Sequence, residues 1–156
     1  MVEARIERLI ASIGRDLEIL ARLAARLEGA RSRAPWDEDD PILYLVGVSL
    51  DHYYSAFEAM AERVMRAFEG PVDRSERWHR ELLDAASLNV RGARPALVTE
   101  QTASALRTLL EFRHFMRHAY GVPLDPERLS ELAALVATVD PHLRRDVAAF
   151  IAALRA

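Results

Sequence analysis

The sequence predicts an all-α fold: a long antiparallel helix hairpin, with three or four shorter helices completing a bundle. Three observations predict it. Apolar residues recur at helical spacing over long stretches of the N-terminal half. No stretch alternates with the period of two that a half-buried strand needs. Asp-Pro pairs stand where helices should open, and glycines where they should close.

The first helix is expected from Glu3 to Glu28. Ile6, Ile13, Leu20 and Leu27 form one seven-residue row, with Ile10, Leu17 and Ala24 interleaved, which is the seam of a helix packed nearly antiparallel on another. Gly29 is expected to end it. Asp40-Pro41 opens the second helix, expected through Glu69. Its rows are Leu43, Leu50, Phe57 and Val64, flanked by Val46, Tyr53 and Met60, and Gly70-Pro71 stops it. Ser75 is placed to cap a shorter helix through Ala86, followed by a loop from Asn89 to Val98. Thr99 opens a fourth helix reaching Tyr120, and Asp125-Pro126 a fifth with Leu129, Leu132, Leu135 and Val136 inside. Asp140-Pro141 repeats the opening signal, so a break is expected there, with a last helix to Leu154.

At 156 residues the chain fits one domain, residues 1–156, with room for a real core. The net charge of −3 gives no global pull toward nucleic acid, so any such binding needs a local patch. All 21 basic residues are arginine, so the position of an arginine is informative and its abundance is not. Without cysteine there is no disulfide, thiolate metal site or cysteine nucleophile. The charged, amphipathic N-terminus is unlike a signal peptide, and no apolar run approaches the roughly 20 residues that span a bilayer. A cytoplasmic protein without membrane contact is expected.

Glu111 to Gly121 is the most informative stretch. Ala105, Leu109, Phe112, Met116 and Ala119 mark a buried stripe, and beside it Leu106 and Leu110 give way to Arg113, Arg117 and Tyr120. An apolar edge thus turns cationic in its last two turns. Long charged side chains rarely go fully inside unless paired, so the edge is expected to face a groove, a partner or an anionic ligand. Gly121 is placed to stop the helix, which leaves Arg117 and His118 where the dipole favours positive charge. Arg113 and His118 stand roughly 140° apart around the helix and about 7.5 Å along it, whereas His114 and His118 share a face.

A guanidinium grips phosphate in bidentate fashion, and imidazole titrates near neutrality. Together they suffice for metal-independent RNA cleavage, in which the 2′-oxygen attacks its own phosphate and leaves a cyclic phosphate. That chemistry wants a base and an acid, from His114 and His118 of one chain or from His118 of two copies. Arg117 is a candidate phosphate contact. Spacing alone favours a plainer account, two solvated histidines at a helix C-terminus. A His-x-x-x-His metal pair is a further alternative, but no acidic third ligand stands at an obvious position and the flanking arginines repel a cation. No metal and no cofactor are expected. His52 and His79 adjoin Tyr53 and Trp78 and read as packing or edge histidines, and His142 as incidental. Asp37 to Asp40 reads as a solvated acidic loop, and Tyr53-Tyr54 as core plus one edge.

Arg113-x4-His118-x-Tyr120 resembles the signature of HepT-like toxins of the HEPN superfamily. The resemblance continues in Ser49-Leu50-Asp51-His52-Tyr53-Tyr54, Trp78-His79, and Phe112 through Asp125 into Pro126-Glu127-Arg128-Leu129, in that order. It covers about residues 41–136. It implies an all-helical homodimer acting as a metal-independent endoribonuclease, paired with a small nucleotidyltransferase antitoxin that can transfer AMP to the motif tyrosine. By that resemblance Arg113 would hold and polarise the phosphate, His118 would move protons with help from His114, and Tyr120 would accept AMP. A non-catalytic HEPN module that binds a nucleotidyltransferase or nucleic acid, and a purely structural dimer, are the alternatives. The ribonuclease expectation would be contradicted by an Arg113 locked on an internal carboxylate together with a His118 in open solvent, far from any second copy.

Overall fold

Heptad rows need partners, and in the computed structural model, which describes residues 2–119 and 121–156, they find each other. The elements are α1 (Val2–Arg31), α2 (Ile42–Glu69), α3 (Trp78–Ala86), α4 (Glu100–His118) and α5 (Pro126–Arg155). α1 and α2 form the antiparallel hairpin: Asp16 pairs with Arg63, and Ile6 and Leu9 neighbour Ala67 and Phe68 at the far end. Ile13, Leu20 and Leu27 are sealed by this contact, as are Leu50, Tyr53, Phe57, Met60 and Val64 of α2. α5 lies antiparallel along the other side of α1, closed at its end by Arg155 bonding Glu7 at 2.9 and 3.0 Å. α3 and α4 cover the remaining face of α2.

Three boundaries differ from expectation for a local reason. α1 runs past Gly29 to Arg31 because Ala30 is buried beneath Trp36, whose indole N–H donates to the Ala30 carbonyl at 3.1 Å. α3 starts at Trp78 rather than Ser75; the Ser75 hydroxyl goes to the Glu81 carboxylate instead of capping a backbone amide. α4 ends at His118, one turn short of Gly121, whose positive φ of 75° turns the chain away.

The largest difference is at Asp140-Pro141, where no break occurs and α5 continues for 30 residues. Val136, Val139, Leu143 and Val147 stay buried on both sides of the proline, while Ala137, whose carbonyl loses its donor, is exposed to solvent. Asp140 is not a cap. Its carboxylate accepts from the Tyr53 hydroxyl at 2.7 Å and from Arg144 at 2.9 Å.

α4 is fixed at both ends. Thr99 caps it as expected, its hydroxyl accepting from Thr102 N–H. Asp146 of α5 then accepts from the Thr99 amide and from both threonine hydroxyls at 2.6–3.0 Å, a buried carboxylate at the positive end of the helix dipole. At the other end α2 presents Gly47, where any side chain would meet Met116 Cε at 3.1 Å. The last turns of α4 therefore lie close against α2.

Candidate functional site

Going along α4, residue 113 lies two turns beyond Leu106, which is wholly buried, so its side chain enters the cleft between α2 and α3. Only 10% of the Arg113 side chain is exposed. Its Nε lies 3.3 Å from Asp51 Oδ1 and its Nη1 3.6 Å from Glu58 Oε1, both on α2. Arg113 thus reaches the groove from inside, as a nearly buried side chain, and is not exposed along an open edge. Arg113 reads the same stripe as Leu106 and goes inside, because α2 supplies the counter-charges that let it.

Those carboxylates surround the guanidinium without capturing it. Among the described residues, the buried Nε has no hydrogen-bond partner, because Asp51 lies off the line of its N–H. The Glu58 contact is longer than a hydrogen bond. Below the guanidinium lies the Tyr54 ring, its centroid 5.9 Å from Arg113 Cζ. Tyr53 and Tyr54 are both sealed, against the expectation of one at an edge. Burial, then the charge of Glu58, pushes the Tyr54 phenol far above its usual range.

Arg117, one turn on, is half exposed and shares Asp51 with Arg113, its Nε 3.5 Å from the same oxygen. Both arginines line an open groove of about 450 Å³ with Glu58, Glu62, Trp78 and His79. His114 and His118 are exposed on another face, ring centroids 4.3 Å apart. His118 Nδ1 donates to the His114 carbonyl at 2.8 Å, which leaves Nε2 as the free nitrogen. Neither histidine lines the Arg113 groove. Within one chain, then, the structure brings Arg113 and Arg117 together and leaves His114 and His118 apart from them. Tyr120, the expected AMP acceptor, lies outside the described residues.

Three residues of this cluster were given no site role in the sequence reading, although Asp51 and His79 lie in stretches that carry the resemblance: Asp51, Glu58 and His79. The first two stand seven apart on α2, two acids on the inner face of an otherwise apolar stretch, and that spacing was the available signal. His79 is more than an edge histidine, since its Nδ1 lies 2.8 Å from Glu58 Oε2. Among the described residues no three His, Asp or Glu side chains converge as a metal-binding set. No helix there is long and apolar enough to cross a membrane.

An all-helical bundle with Arg-x4-His at the end of its fourth helix defines a protein of the HEPN class. The family model described as HepT-like protein matches residues 45–154, and the chain belongs to that family. The match spans α2 through α5 and extends the resemblance past residue 136; α1 lies outside it. No curated protein and no solved structure matches. Membership supports a toxin-like function of the general HEPN kind.

Proposed function

We propose that this chain is a toxin-type, metal-independent endoribonuclease whose site is completed by a second copy. One observation carries the reading. A nine-tenths buried guanidinium, its Nε unspent, stands beside the exposed Arg117 on an open groove, within a family of toxin-like proteins. Asp51 and Glu58 hold Arg113 in place, Arg117 takes the phosphate, and Arg113 adds positive potential behind it. His118 is the proton-transfer group, delivered across the interface, because the His118 of the same chain stands away from the groove. His114 assists because its carbonyl accepts the His118 Nδ1–H and so sets the tautomer of that ring. A small nucleotidyltransferase antitoxin silences the protein by transferring AMP to Tyr120, which adds a bulky anion to the chain.

The test is cleavage of single-stranded RNA in EDTA. The purified chain should produce cyclic-phosphate ends, and His118→Ala should lower the rate by about 100-fold or more at unchanged helical content. Cleavage that EDTA abolishes, or full activity in that variant, contradicts the chemistry. Co-expression with a small nucleotidyltransferase, followed by intact-mass analysis, tests the AMP step.

A second reading is favoured by the two carboxylates around Arg113, which already balance its charge. It is a non-catalytic HEPN module that binds a nucleotidyltransferase or nucleic acid. It predicts binding that weakens with salt and no cyclic-phosphate product.

A further inference from the structure

Cyclising cleavage needs two proton-transfer groups, and His118 is one. The groove that holds Arg113 and Arg117 contains another imidazole, His79 at the start of α3. Its Nδ1 lies 2.8 Å from Glu58 Oε2, and Glu58 is buried. An ionised carboxylate only accepts, so the proton sits on Nδ1. Arg113 Nη1, 3.4 Å from the same nitrogen, is then a neighbouring charge and not a donor to it. The ring is held a second time by Trp78, with centroids 3.9 Å apart. With Nδ1 turned inward to Glu58, Nε2 is on the far side of a ring that is 35% exposed and lines the groove. A carboxylate that fixes the tautomer and orientation of an imidazole, leaving its other nitrogen free beside a guanidinium, is the arrangement of a general base.

We propose that His79, held in one tautomer by Glu58, is the general base of the site, acting on an RNA strand whose phosphate rests on Arg117. The inference rests on the ribonuclease reading. Nε2 takes the proton of the 2′-hydroxyl, and the freed electron pair on the 2′-oxygen forms the new bond to phosphorus. The bond from phosphorus to the 5′-oxygen breaks, its electron pair stays on that oxygen, and protonated His118 of the second copy supplies the proton. The products are a 2′,3′-cyclic phosphate and a 5′-hydroxyl. Both histidines return to their starting states by exchanging one proton each with water. Glu58 is a positioning residue. The charged groups facing His79 are Glu58 and Glu62 from α2, Arg74 from the segment before α3, and Arg113 and Arg117 from α4.

The experiment compares the full-length wild type with His79→Gln. The variant should cleave RNA about 100-fold more slowly or worse, lose the acid limb of the pH–rate profile, and bind a non-cleavable 2′-deoxy oligonucleotide as the wild type does. Undiminished cleavage by the folded variant, with the pH profile unchanged, overturns the role of His79 and leaves the ribonuclease reading standing. Absence of cleavage by the wild type overturns both. If His79→Gln does not fold, nitrogen NMR of the wild-type histidines decides. An Nδ1-protonated His79 whose Nε2 signal shifts with the 2′-deoxy oligonucleotide supports the proposal. An Nε2-protonated ring, or a signal indifferent to the oligonucleotide, overturns it.

Discussion

Tyr53 and Tyr54 sit side by side in the core, one bonded to Asp140 and the other beneath Arg113. Burial first, then the neighbouring carboxylates, pushes both phenols far above their usual range. Above about pH 10 the unfolded chain releases these protons and the folded chain keeps them, so stability falls as pH rises, by about 1.4 kcal/mol per unit for each phenol. An alkaline titration should show two of the four tyrosines ionising only as helical circular dichroism is lost. Full ionisation of all four in a still-helical chain would contradict the buried placement. Arginines 113 and 117 differ in the same residue-level way. Arg113→Ala strands two carboxylates in the cleft and should destabilise the fold by about 3–5 kcal/mol. Arg117→Ala removes an exposed group and should change stability by less than about 1 kcal/mol, yet weaken RNA binding. Urea denaturation beside a binding assay separates the two, and equal stability losses would contradict this assignment.

At the scale of elements, the site depends on where α4 is held, and α5 holds it through Asp146. Asp146→Ala leaves the Thr99 amide and two hydroxyls without their acceptor and should lower stability by about 2–3 kcal/mol in urea denaturation; a loss near zero would mean the cap alone suffices. The helices themselves were legible in the sequence, because heptad rows such as Leu43, Leu50, Phe57 and Val64 report burial directly. Pro141 was not, since a proline signal is local, while the burial of Val136 to Val147 that overrides it is tertiary. The loop after α3 hid its organiser for the same reason. Arg94 is buried there, bonded to Glu69 and to the carbonyls of Ala85 and Leu88, and one more arginine among 21 gave no hint of it. The candidate site was half legible. Arg113-x4-His118 lies on one helix and shows in the spacing, whereas Asp51, Glu58 and His79 converge only once α2 and α3 are packed against it.

For the whole molecule, the decisive feature is that one chain separates its arginines from His118. A net charge of −3 gives no broad field for RNA, so under the proposed function recognition would rest on this groove and on what a second copy adds to it. If the site is shared, Arg117 and His79 act with His118 from across a two-fold axis, and each dimer has two such sites. The most direct measurement mixes Arg117→Ala and His118→Ala, each expected to cleave far more slowly than wild type alone, under conditions that let subunits exchange. Half of the dimers then carry both variants, each with one intact site, and activity should return to about one quarter of wild type. A mixture as inactive as its two components, with mixed dimers verified by mass, would contradict a site built from two copies.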